Sequence, residues 1–158
     1  MKKIFLILIF CFFSCAANAA NSFLVTTDFN GKNFDLAQQK DKIVIVNLWA
    51  KWCIDCRREM PVLDELYKKY HAKGLEIIAI SVDPKNQTDE VKKIAKRFSY
   101  PNSMLSDVKK SDFESPRSLP TNYIMLNGKV IKVLDDSKLL MRDFEDVILP
   151  LFKMNLVH

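Results

Sequence analysis

The sequence predicts an α/β domain built on a mixed central sheet with helices on both faces and a β-hairpin extension at its amino-terminal end. Three observations predict it. Residues 43–49 and 75–82 are near-continuous apolar runs, the pattern of strands buried on both faces. A helical stretch separates them, and a right-handed crossover then makes the two strands parallel neighbours. The pairs Asn30-Gly31 and Asn127-Gly128 each lie between β-forming segments, a strong short-range hairpin signal.

The elements follow in order. Residues 1–19 read as a signal peptide: Lys2 and Lys3 form a positive start, 4–13 an apolar stretch, and Ala17-Asn18-Ala19 a cleavage site. An uncleaved anchor, or lipidation at Cys15, is the alternative and would attach the protein to a membrane. Cleavage leaves residues 20–158 as one domain, long enough to bury a core. A hairpin is expected from 24–27 and 34–36, then the strand 43–49. The helix expected over 53–71 presents Met60, Leu63, Leu66 or Tyr67, and Tyr70 along one side and stops at Lys73-Gly74. Pro61 falls inside it and cannot donate to the ladder. The strand 75–82 ends at Asp83-Pro84. Thr88 is the expected N-cap of a helix reaching about residue 98, with Asp89 and Glu90 in its first turn. A short strand or loop and then a short helix are expected over 101–113. Strands 122–126 and 129–134 follow. A final helix over 138–152 turns Leu139, Leu140, Phe144, Val147, Ile148 and Leu151 inward.

The formal charge is +5, and loss of Lys2 and Lys3 lowers it to +3. The lysines alternate with acids along helices and turns, which is a solvated surface. No dense basic stripe is present, so nucleic acid is not an expected partner.

Chemistry concentrates at Trp52-Cys53-Ile54-Asp55-Cys56. The first cysteine lands where a strand gives way to a helix, and unpaired N–H groups with the helix dipole favour its thiolate there. The second lies one turn on, on the same side, within reach of a disulfide. Signal cleavage removes Cys11 and Cys15, leaving this pair alone. A disulfide closing so small a ring constrains little of the unfolded chain, so the pair is explained by reactivity rather than by architecture. Structural zinc needs about four ligands. Two cysteines with the distant His71 and His158 are too few on one chain, so no metal is expected.

The run Val46-Asn47-Leu48-Trp49-Ala50-Lys51-Trp52-Cys53-Ile54-Asp55-Cys56-Arg57-Arg58-Glu59-Met60-Pro61 resembles the VNFWATWCxxCRxEMP pattern of the exported TlpA-like thiol-disulfide oxidoreductases of the thioredoxin superfamily, which include the cytochrome c maturation thioredoxins. Ile78-Ala79-Ile80-Ser81-Val82-Asp83 resembles that family's next strand, Ser118-Leu119-Pro120-Thr121 its cis-proline turn, and Asn127-Gly128-Lys129-Val130 its following hairpin. Together these cover nearly all of the chain after residue 27.

The resemblance implies a thioredoxin fold and a periplasmic protein disulfide reductase whose only redox group is the Cys53–Cys56 disulfide, with no further cofactor. Cys53 is the implied nucleophile and Cys56 the resolving thiol. Trp52 covers the edge of the site and Trp49 packs beneath it. Pro120 is the implied cis-proline, and the backbone before it, at Leu119, pairs with substrate as an added strand. Asn47 stands where thioredoxin itself carries a buried Asp, and an amide cannot relay a proton. Glu59, one turn beyond Cys56, and Asp83, at the neighbouring strand end, are the candidate proton relays. Asp55 opposes the dipole at Cys53 and favours a reducing protein, with Arg57 and Arg58 partly offsetting it. The implied partners are protein thiols and disulfides, apocytochrome c cysteines foremost, and a membrane thiol-reductant donor.

Other functions remain in view. A disulfide-donating oxidase is expected to carry a large helical insertion, and residues 83–120 hold only one or two short helices. A peroxidase of the peroxiredoxin class needs Pro-x-x-x-Thr-x-x-Cys, and 47–53 has neither the Pro nor the Thr. A Sco-like copper chaperone uses CxxxC and a distal His, whereas the spacing here is CxxC.

Overall fold

The computed structural model describes residues 22–113 and 116–155. The expected signal segment, with Cys11, Cys15 and the cleavage site, lies outside the described residues. In chain order the elements are β1 (Leu24–Thr27), β2 (Asn33–Asp35), β3 (Ile43–Trp49), α1 (Ile54–Tyr70), β4 (Leu75–Ser81), α2 (Thr88–Ala95), β5 (Asn102–Met104), β6 (Val108–Ser111), β7 (Thr121–Leu126), β8 (Lys129–Leu134) and α3 (Met141–Asn155). Five of the strands form a mixed sheet in the order β5–β4–β3–β7–β8. β3 and β4 run parallel with Ile43 opposite Leu75, and β7 runs antiparallel to β3 with Leu48 opposite Thr121.

The central strands alternate their loyalties. Ile43, Ile45 and Trp49 of β3, with Leu75, Ile77 and Ala79 of β4, pack with Met60, Leu63 and Leu66 of α1, Val91 of α2, and Phe144 and Ile148 of α3. The even-numbered Val44, Val46 and Leu48, with Ile78 and Ile80, pack instead against Leu24 and Phe34. Period-two alternation thus sends one strand into two cores. Each fully buried aliphatic or aromatic side chain contributes roughly 1.5–3 kcal/mol.

This layering corrects one expectation. The sheet is mixed, and the fold is α/β. The three α-helices among the described residues, however, line a single face. The second face is covered by a small sheet, β2–β1–β6, made from the hairpin extension and a strand formed after β5. The hairpin is therefore a second layer rather than an appendage. Its turn uses Gly31 at φ 79° and is tied by the Asp28 carboxylate, which accepts from the Asn30 and Lys32 amides at 2.9 and 2.8 Å. The β7–β8 turn places both Asn127 and Gly128 at positive φ, 50° and 75°, the geometry that favours Asn-Gly.

Three local expectations also change. Residues 105–107 form one 3₁₀ turn, and the expected short helix after it is instead β6, which pairs with β1 because the hairpin offers an open edge. Thr88 is the first residue of α2, not its cap. Its hydroxyl bonds the Lys85 carbonyl at 2.6 Å, satisfying a preceding 3₁₀ turn. α3 begins at Met141, so Leu140 precedes it and stands 51 % exposed, while Leu139 is buried.

Candidate active site

β3 delivers Trp49 into the core at the carboxyl end of the sheet, and the chain then turns sharply. The Cys53 amide bonds the Ala50 carbonyl at 3.1 Å, and the Lys51 amide bonds Asp83 Oδ2 at 2.7 Å. Cys53 caps α1 with extended backbone, and its Sγ accepts from the Cys56 amide at 3.1 Å. One of the orphan donors of the helix thus already points at the sulfur on which a thiolate would form. Cys53 and Cys56 are joined in a disulfide, with Cα atoms 5.3 Å apart. Cys53 is 6 % exposed and Cys56 1 %. Both cysteines are buried, Cys56 the deeper of the two. Trp52 beside it stands 66 % exposed. Trp49 is wholly buried, a core aromatic.

Pro120 enters from β7. The Leu119–Pro120 peptide is cis. The Leu48–Thr121 register sets Pro120 opposite Trp49, at the same end of the sheet as the dithiol. Leu119 is half-buried and packs against both cores, and the Thr121 hydroxyl ties the turn to the Ser118 carbonyl at 2.7 Å.

The two candidate acids occupy different places. Glu59 is one turn after Cys56 and faces the sheet, 3 % exposed. Its Oε1 accepts from Asn47 Nδ2 at 3.1 Å and from Asn122 Nδ2 at 3.0 Å. Burial pushes its carboxyl up from 4.5 to about 7, against the donation from Asn122, which lowers it. Asp83, also 3 % exposed, accepts from the Ser81 hydroxyl and the Lys51 amide, both at 2.7 Å on Oδ2. It fixes the turn that precedes Cys53. Asp55 pairs with Arg58 at 3.1 Å, so its charge at the helix start is shared. His71 caps the opposite end of α1, with Nδ1 3.1 Å from the Leu75 carbonyl.

Asn122 and Ser81 were not singled out from the sequence. The available signal for Asn122 was a polar residue inside the strand Thr121–Leu126, at the position paired with Asn47. The Tyr100 hydroxyl is also buried, and its acidity is suppressed first by burial and then by Asp64 and Glu59.

A known family model, described as the AhpC/TSA family, matches the chain over residues 16–140. The chain belongs to the AhpC/TSA family. Among its relatives, a thiol-disulfide oxidoreductase ResA of Bacillus cereus is 38 % identical over 112 residues, which cover 68 % of this chain and 63 % of the relative. The chain therefore spans less than two thirds of that relative's length. A ResA of Bacillus subtilis is 30 % identical over 131 residues, 80 % of this chain and 72 % of that one. Two solved structures share the thioredoxin fold. StoA of Bacillus subtilis has a TM-score of 0.62 at 14 % identity, covering 81 % of this chain and 97 % of that one. A thioredoxin family thiol:disulfide interchange protein of Chlorobium tepidum has 0.65 at 24 %, covering 84 % and 94 %. Among the described residues no helix is long and apolar enough to cross a membrane.

Proposed function

We propose that this chain is an exported thiol-disulfide oxidoreductase that reduces protein disulfides by dithiol exchange. The carrying observation is the Cys53–Cys56 disulfide at the start of α1, at the same end of the sheet as the cis Leu119–Pro120 peptide. The ResA relatives support the reaction type. Residues 1–19 direct export to the periplasm and are removed, and 20–158 form the working domain. The Cys53 thiolate attacks one sulfur of the partner disulfide, and the other sulfur leaves as a thiolate that takes a proton. Cys56 then gives its proton to the Glu59 carboxylate and attacks Cys53 Sγ, expelling the second partner sulfur. Two electrons pass to the partner, and Cys53–Cys56 ends oxidised. A dithiol donor at the membrane restores the reduced form. The partner strand pairs at Leu119 with Trp52 covering one side. Haem-attachment cysteines of an apocytochrome c are the proposed substrate class. No cofactor beyond the disulfide takes part. Of the two acids, Glu59 is the proton acceptor, while Asp83 holds the turn.

Cys56→Ser is expected to accumulate a Cys53-linked mixed disulfide with the substrate, visible on non-reducing gels and identified by mass spectrometry. Turnover by the wild type with no adduct on the variant contradicts the assigned roles. Direction is a separate matter. The Asp55–Arg58 pair dilutes the charge that favours reduction, which keeps a disulfide-donating oxidase as the second reading. A midpoint potential near roughly −270 mV supports the reductase, and one near roughly −120 mV the oxidase.

A further inference from the structure

We propose that Asn122 is a positioning residue: its side-chain amide holds Oε1 of Glu59 in place and favours the ionised carboxylate that must receive the Cys56 proton. This rests on the reading of Glu59 as proton acceptor. Asn122 is fully buried, and its Nδ2 donates to Glu59 Oε1 at 3.0 Å and to the Leu134 carbonyl at 3.4 Å. Asn47 Nδ2 donates to the same Glu59 oxygen at 3.1 Å and to Asn122 Oδ1 at 2.9 Å. Both N–H bonds of each amide are thereby committed. Glu59 Oε2 is buried with no hydrogen-bond partner among the described residues. One oxygen is clamped as a permanent acceptor, and the other is left to gain and lose a proton.

The three residues come from three elements, Asn47 from β3, Glu59 from α1 and Asn122 from β7. Neither amide carries charge, so the pair steadies a carboxylate without forcing it to stay ionised, as a lysine or arginine would. The titratable neighbours are Cys56 one turn earlier on α1, and Tyr100, whose hydroxyl senses both Glu59 and Asp64. Asp64 is committed elsewhere, to Lys68 at 2.6 Å and to the Ser99 amide and hydroxyl. Asn122 also lies two residues beyond cis-Pro120, so the strand proposed to receive substrate carries one of the two clamps.

The sign follows from the acceptor-only nature of a carboxylate. A donor stabilises the ionised form, so its removal tightens proton binding and raises the titration midpoint.

The test is a carbon-13 NMR titration of the Glu59 carboxyl in the oxidised protein, the resonance being assigned by its loss in Glu59→Gln. Asn122→Leu is expected to raise the midpoint by at least about one pH unit, a tenfold gain in proton affinity. Asn122→Asp is expected to raise it further, because it replaces the donor with a second carboxylate. In the mixed-disulfide form, the low-pH limb of the rate at which Cys56 resolves the Cys53–partner bond should move up by the same amount. Should Asn122→Leu fail to fold, Asn122→Ser withdraws the amide with a smaller polar side chain and is measured instead. A midpoint unmoved in whichever variant folds, with stability alone altered, overturns the proposal. The NMR midpoint needs no substrate. A wild type that reduces no protein disulfide would therefore defeat the functional reading while leaving the Asn122 result to stand or fall on its own.

Discussion

The polar cluster under α1 and the turn at the end of β4 each bury one carboxylate to the same depth, yet they treat it differently. Glu59 meets two side-chain amides, both on one oxygen, and no Lys or Arg bonds to it among the described residues. Asp83 meets a backbone N–H and a hydroxyl, and its own amide donates back to the same hydroxyl at 3.1 Å. Each carboxylate leaves one oxygen without a hydrogen-bond partner among the described residues, Glu59 Oε2 and Asp83 Oδ1. At Glu59 burial outweighs the donation from Asn122, so the proton is held to about pH 7. The Asp83 arrangement is a closed ring between neighbours in sequence, locked onto the residue that starts the turn to Cys53. Equal burial has produced a proton site in one place and a strut in the other. The partners decide which.

The largest expected difference is in how stability depends on pH. Glu59 binds its proton more tightly folded than unfolded, so its contribution is fully present below about pH 4.5 and is lost as pH rises through about 7. A displacement of that size corresponds to about 3 kcal/mol. Urea unfolding of the oxidised protein should show that loss between about pH 4.5 and pH 8, and Glu59→Gln should remove it. A Gln variant with the wild-type slope would erase the contrast between the two sites.

Much of this contrast was legible in the residues, and what was not has physical causes. The apolar runs defined β3 and β4 because buried parallel strands have no polar face to confuse the pattern. The CxxC turn, and Glu59 one turn beyond it, followed from local spacing. Asn122 could not be found that way, since its role depends on a register 75 residues apart that brings it beside Asn47. The second layer was misjudged for a similar reason. β6 (Val108–Ser111) is mostly exposed, with little alternation of its own, and becomes a strand because β1 presents an edge to it. Asp83 was recognised as an acid near the site, but its function as a strut rests on the Lys51 amide, which no side-chain pattern announces.

A smaller effect separates Asp83 from Glu59. Asp83→Ala strips the half-buried Lys51 amide of its acceptor and the Ser81 hydroxyl of its partner, and should cost about 2 kcal/mol. Because the Glu59 cluster is untouched, the fall of stability with pH should persist in this variant. Loss of that slope would mean that the two carboxylates form one coupled system.

Ser81→Ala sharpens the comparison further by cutting the ring without emptying it. Asp83 then keeps its bond from the Lys51 amide at 2.7 Å and loses both its bond from the hydroxyl and its own amide's acceptor. The Lys51 contact is the one that shapes the entry to Cys53, so the turn should survive at a cost of about 1 kcal/mol. Denaturant titration gives that number, and the rate of Cys53 alkylation in the reduced protein reports the turn. An unchanged alkylation rate with the small stability loss places the strut in the Asp83–Lys51 bond. An alkylation rate changed as much as the one measured in Asp83→Ala would instead make the serine the anchor, since Asp83 could then not hold its pose without it.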